Sequence, residues 1–170
     1  NSTLSGNATS YSGGAIANYH AGTVTLSNST LSANSAVHSG GAINNLGGTL
    51  TMDRSLISGN TAPTGAEVYT SSGTLTSNTN LLGDSSHTTT AALANFTPDA
   101  SDITATSNGT HPTALAAILN PLTNNGDASS AGSGQVRLTH ALVTGSPAID
   151  AGGDSGLDTD QRGVTRPQGT

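Results

Sequence analysis

The chain has 170 residues, a net charge of −6, four arginines with no lysine, and no cysteine. That balance excludes the basic stripe needed for nucleic-acid phosphates, attraction to an anionic membrane surface, and disulfide or thiolate metal sites. With 2% aromatic and 8% charged residues, it holds too few large apolar side chains for a thick core and too little charge for an ordinary disordered segment. A thin repetitive fold is expected.

The first 83 residues carry a repeat. Asn1-Ser-Thr-Leu-Ser-Gly-Asn7 aligns with Asn28 to Asn34 and with Arg54 to Asn60. Gly13-Gly-Ala-Ile16 aligns with Gly40 to Ile43 and with Gly65 to Val68, and Gly22-Thr-Val-Thr-Leu26 with Gly48 to Met52 and Gly73 to Ser77. The steps are 27, 26 or 25 residues. Each repeat holds three short strand-like pieces, enough for one solenoid coil whose neighbours stack at about 4.8 Å. Equivalent residues then form ladders. The inward aliphatic ladders are Leu4, Leu31, Ile57, Leu82; Ile16, Ile43, Val68; and Val24, Leu50, Leu75, continued at Leu26 and Met52. Asn7, Asn34 and Asn60 recur at a bend, where stacked amides bond along the axis and Asn tolerates left-handed geometry. Alternation in Thr23-Val-Thr-Leu26 has the period of a half-buried strand, which turns Thr23/Thr25, Thr49/Thr51 and Thr74/Thr76 outward in two ranks. Parallel crossovers are overwhelmingly right-handed, so the expected fold is an all-β, right-handed parallel β-helix.

Residues 84–134 are less regular. Ser85 to Thr90 and Asp99 to Asp102 read as loop. Apolar residues at 115, 118, 119 and 122 suit either a short helix near 113–120 ended by Pro121 or a coil with an insertion. Residues 135–170 are expected to form a final coil and a C-terminal motif, and Gln135 to His140 alternates as a strand. One continuous domain is expected. No signal peptide is read at the N-terminus, no apolar run is long enough to cross a membrane, and Asn1 falls within a repeat. A processed or excised piece is therefore expected.

The stretch Leu138-Thr-His-Ala-Leu-Val-Thr-Gly-Ser-Pro-Ala-Ile-Asp-Ala-Gly152, followed by Thr159-Asp-Gln-Arg-Gly-Val-Thr-Arg-Pro167, resembles the end of bacterial choice-of-anchor Q domain proteins. The Asn-Ser-Thr-Leu-Ser-Gly-Asn and Gly-Gly-Ala-Ile runs are similar to the repeats of that family. The resemblance implies an extracellular right-handed β-helix displayed on a bacterial surface, and no chemistry. Family members usually continue past the Arg-Pro with a further strand and a sorting tail.

The related pectin-lyase architecture also hosts polysaccharide lyases and glycosidases, which need two or more carboxylates flanking one bond. In the clear coils the charged residues are Asp53, Arg54 and Glu67. Asp53 and Arg54 are expected on opposite faces of a strand, with Glu67 half a coil away. His20, His38, His87, His111 and His140 neither stack nor show ligand spacing. No Gly-x-Ser-x-Gly elbow occurs. Asp150, Asp154, Asp158 and Asp160 lie among glycines and offer oxygen ligands for Ca²⁺, but at no recognised spacing. A loop tied by Arg162 or Arg166 is the preferred reading.

The expected function is therefore an extracellular, non-catalytic structural solenoid: a stalk, an adhesin-like module or a filament subunit stacking end to end, needing no cofactor. Its possible partners are a second copy or a glycan or host surface, with no nucleic acid and no membrane insertion. One alternative is a carbohydrate-binding or carbohydrate-cleaving β-helix gathering Tyr11, Tyr19 or Tyr69 with carboxylates. The other is ice binding through the Thr ranks.

Overall fold

Positions one repeat apart meet in space. In the computed structural model, which describes residues 1–126, 136–153 and 156–165, the chain winds into a parallel β-solenoid of about four turns. The first coil carries β1 (Thr3–Ser5), β2 (Ala8–Thr9), β3 (Ile16–Tyr19) and β4 (Thr23–Ser27). The second carries β5 (Thr30–Ser32), β6 (Ser35–Ala36) and β7 (Ile43–Asp53). The third has β8 (Leu56–Ile57) and β9 (Val68–Asn78); the fourth has β10 (Leu81–Leu82), the short helix α1 (Thr89–Ala92) and β11 (Leu93–Ala94), before β12 (Ile103–Thr104).

The first sheet runs β1-β5-β8-β10-β12 and the second β3-β7-β9-β11, with β4 also on β7; β2 and β6 make a third. The register joins Leu4 to Leu31, Leu31 to Ile57 and Ile57 to Leu82, and it joins Ile16 to Ile43 and Ile43 to Val68. Val24, Leu50 and Leu75 align likewise. Leu31, Ile43, Leu50, Met52, Ile57, Val68 and Leu82 are fully buried, while Leu4, Ile16, Val24, Leu75 and the single phenylalanine, Phe96, pack against them partly exposed.

The paired glycines explain the corner before the second sheet. Gly13 and Gly40 adopt left-handed backbone, with φ of 77° and 64°. The following glycine faces the next coil so closely that a Cβ on Gly14 would lie 2.1 Å from the Gly41 carbonyl oxygen, and one on Gly41 2.2 Å from that of Ala66. Only a residue without a side chain fits at positions 14 and 41.

Parallel pairing continues past residue 83: Leu93 pairs with Val68, and Ile103 with Leu81. Beyond β12, the loop 105–113 folds against the last edge, where Thr113 N–H donates to Ala105 O at 2.9 Å and Ser85 N–H to Thr113 O at 2.9 Å. The region near 113–120 forms a 3-10 turn at Leu115–Ala117. Of the stretch read as a strand, Gln135 lies outside the described residues, and residues 136–140 make one isolated antiparallel bridge, Thr139 to Thr123.

The C-terminal segment then lies across the outer face of the first sheet. In the first two coils the outward position is Thr3 and Thr30; in later coils it becomes Leu56, Leu81 and Ile103. Leu56 and Leu81 form a second apolar cluster with Ala105, Ile118 and Leu119, packed by Ile103, Leu115 and Ala148. An apolar outer face needs a cover, and this segment supplies it.

Candidate functional site

The polar side chains of the solenoid are organised as directional ladders. Asn7 donates its backbone N–H (3.0 Å) and Nδ2 (2.8 Å) to Asn34 Oδ1. Asn34 does the same to Asn60 Oδ1, at 2.9 and 2.8 Å. The second amide hydrogen of Asn34 reaches Leu4 O at 2.9 Å, and that of Asn60 reaches Leu31 O at 2.9 Å. Asn34 and Asn60 are buried, and full pairing is what makes a buried amide tolerable.

At the third coil the donors converge on Glu67. Gly59 N–H donates to its Oε1 at 2.9 Å, Asn60 N–H lies 3.3 Å from the same oxygen, and Asn60 Nδ2 reaches Oε2. Glu67 is completely buried, and burial pushes its carboxyl up to about 8. The Asn60 side chain and the two backbone N–H groups pull it back down, and the charge of Asp84 adds to the rise.

A second ladder was not read from the sequence. Ser29 N–H donates to Ser55 Oγ at 3.2 Å, Ser55 N–H to Asn80 Oδ1 at 2.9 Å, and Asn80 N–H to Asp102 Oδ1 at 2.8 Å. Asp102, which the sequence placed in a loop, is buried and also accepts from Ser77 Oγ and Asp99 N–H. Its signal was the column Ser29, Ser55, Asn80, Asp102, whose residue type passes from serine to asparagine to aspartate along the stack. A third, shorter ladder runs from Asn18 Nδ2 to Asn45 Oδ1 at 2.8 Å and from Asn45 Nδ2 to Thr70 Oγ1 at 3.4 Å. Two of these ladders therefore end on a carboxyl group, which can accept several donors at once.

The Thr ranks stand in register: Thr23, Thr49 and Thr74 in one column, Thr25, Thr51 and Thr76 in the other. All are exposed except Thr51, which is half-buried.

Asp53 and Arg54 correct the sequence reading. β7 ends at Asp53, and Arg54 turns into left-handed backbone with φ 47°. The turn breaks the strand alternation, and the two side chains form an ion pair. Arg54 Nε also donates to Gly152 O at 3.0 Å, tying the C-terminal segment to the corner. His140 makes a further tie. Its Nδ1 lies 2.8 Å from the Asn120 carbonyl, which only accepts, so Nδ1 carries a proton, and Nε2 shares a hydrogen bond with the Ser5 hydroxyl at 2.9 Å. Thr3 Oγ1 donates to Gln161 Oε1 at 2.7 Å. His20, His38 and His111 are exposed, and His87 hydrogen-bonds Ser86.

Of the proposed calcium loop, Asp150 and Asp158 are exposed and Asp154 lies outside the described residues. Arg162 Nε donates to Asp160 at 2.7 Å, and Asp160 also accepts the N–H groups of Arg162 and Val164. Partial burial pushes the Asp160 carboxyl upward, but these hydrogen bonds and the Arg162 charge outweigh it and hold the group below its usual range. Arg166 lies outside the described residues. Among the described residues no three His, Asp or Glu side chains gather as a metal site.

A groove of about 280 Å³ runs between the C-terminal segment and the corner column Asn28, Arg54, Thr79 and Ser101, with His140 and Gly152 opposite. Its described walls hold no tyrosine and no carboxylate. Tyr11 and Tyr19 are exposed on the first coil and Tyr69 is half-buried on the third.

Compared with family models, curated proteins and solved structures, the chain matches none.

Proposed function

We propose that this chain is a non-catalytic structural solenoid that serves as a stiff stalk or adhesin-like module on a bacterial surface. The observation that carries the reading is the continuity of the axial stacks: aliphatic and amide ladders run rung to rung in one direction, and the buried amides of Asn34 and Asn60 are spent on neighbouring coils. Such side chains hold shape and are not free for substrate. The surface setting rests on the resemblance of the Gly145 to Gly152 stretch. The loop 105–113 covers the last edge of the first sheet, which favours a discrete rod over a filament built by stacking copies end to end.

The test combines negative-stain microscopy across a concentration series with a polysaccharide turnover panel. Discrete short rods without turnover are expected. Long fibres would move the reading to a filament subunit, and product release from any glycan would sink the non-catalytic reading.

Ice binding is the second reading, favoured by the in-register Thr columns. It requires thermal hysteresis that disappears in Thr49→Tyr. The bland account of the same columns is that Thr stacks well on a half-exposed strand.

A further inference from the structure

Glu67 is the chain's single glutamate, and it occupies an unusual position. Pairing of Ile43 with Val68 and of Val68 with Leu93 sets Glu67 in the column of Ala42 and Ala92, both fully buried. The small alanines above and below leave room for its longer side chain to reach across to the foot of the Asn ladder. There it meets three donors, two from backbone and one from Asn60. The titratable groups that face this site come from the loop after β10. Asp84, itself buried, follows Gly83, whose N–H bonds Ile57 O, so it stands one rung beyond Gly59. His87 borders the same surface depression as Gly59, Asn60 and Asp84. Of the three described arginines, Arg54 pairs with Asp53, Arg162 pairs with Asp160, and Arg137 lies in the C-terminal segment.

We propose that Glu67 is a pH-sensitive clamp: uncharged, it closes the asparagine ladder, and on losing its proton it puts a second negative charge beside the buried Asp84 and loosens the third and fourth coils. The sign follows from linkage. The unfolded carboxyl titrates near its ordinary 4.5, and the folded one, raised by burial and by Asp84, near 8. Between those values the folded chain keeps a proton that the unfolded chain has lost. The stabilisation is complete below 4.5, falls about tenfold in the folding constant per pH unit through the interval, and is gone above the folded value. This contribution to stability therefore falls from pH 4.5 upward and is gone by about pH 8.

A single glutamate makes the test direct. With ¹³Cδ-labelled glutamate the folded protein shows one side-chain carboxyl resonance of that type. A titration midpoint near 8 is expected, and a midpoint at the ordinary glutamate value overturns the proposal. In parallel, urea unfolding from pH 5 to pH 9 should show wild-type stability falling and Glu67→Gln losing that slope. Should Glu67→Gln fail to fold, Asp84→Asn serves. Removing that charge should move the resonance midpoint downward and shift the stability profile with it, and an unchanged midpoint and profile overturn the clamp.

Discussion

The first three coils and the C-terminal segment use opposite strategies on the same sheet. In the coils, the ladder positions repeat the chemistry of the residue 25–27 positions earlier, so a single favourable contact is copied up the stack. The segment from Leu115 onward lacks the repeat; its described residues are held by one apolar cluster and by individual ties that include those at Arg54, Ser5 and Thr3. Repetition spreads stability along an axis and makes each coil depend on its neighbours. A unique covering segment concentrates stability in a few contacts and opens by itself when they fail.

The sharpest way to break the comparison is to remove equal amounts of apolar volume from each side. Ile57 is fully buried between Leu31 and Leu82, and its loss opens a cavity that fixed backbone rungs cannot collapse. Ile57→Ala should destabilise the whole fold by about 2–5 kcal/mol, read as a lower urea midpoint for every probe at once. Ile118, equally buried but in the covering segment, should behave differently. Ile118→Ala should cost about 2 kcal/mol, seen as faster hydrogen exchange at residues 139–149 while β5, β8 and β10 keep their protection. If both variants melt as one transition with equal loss, the segment is part of the same cooperative unit.

Polar ladders sharpen the comparison within the coils. Asn34 Oδ1 accepts from the coil before and Asn34 donates to the coil after, whereas the Asn7 side chain only donates, its Oδ1 accepting no bond among the described residues. Asn34→Ala should therefore cost about 3 kcal/mol, because it leaves buried groups unpaired on both sides, and Asn7→Ala about 1 kcal/mol. Equal losses would mean that the axial order of the ladder carries no energy.

Much of this was legible because repetition converts alignment into contact. Once Leu4, Leu31 and Ile57 align at fixed steps, no other parallel register keeps them all inside. Legibility failed where a column changed chemistry. Ser29, Ser55, Asn80 and Asp102 share one role with three side-chain types, and the role is visible only when the backbone N–H of each is matched to the next side chain. Glu67 stood where earlier repeats have alanine, at an interior position. A charged residue there should have been read as buried and paired, rather than set aside for lacking a catalytic partner. The outward column Thr3, Thr30, Leu56, Leu81, Ile103 held the signal that something covers the later coils, but reading it requires deciding first which strand face points outward. The pairing of Asp53 with Arg54 was hidden because a single left-handed residue overrides strand alternation.

The smallest expected effect tests whether the covering segment is anchored at its far end. His140 lies on that segment and Ser5 on the first coil, 135 positions apart, and the hydroxyl meets Nε2 at 2.9 Å. The Asn120 carbonyl orients the ring from the other side, so removing the hydroxyl should leave the imidazole in place. Ser5→Ala alone should cost about 1 kcal/mol, the net worth of a partly buried hydrogen bond. His140→Phe should cost more, since it also leaves the Asn120 carbonyl without its donor. A double-mutant cycle separates the two contributions. A coupling of about 1 kcal/mol between Ser5 and His140 in hydrogen-exchange protection of residues 139–149 would show that the segment is fastened to the first coil. Additive losses would place its attachment at the apolar cluster around Ile118, so that the first coil and the segment touch without holding one another.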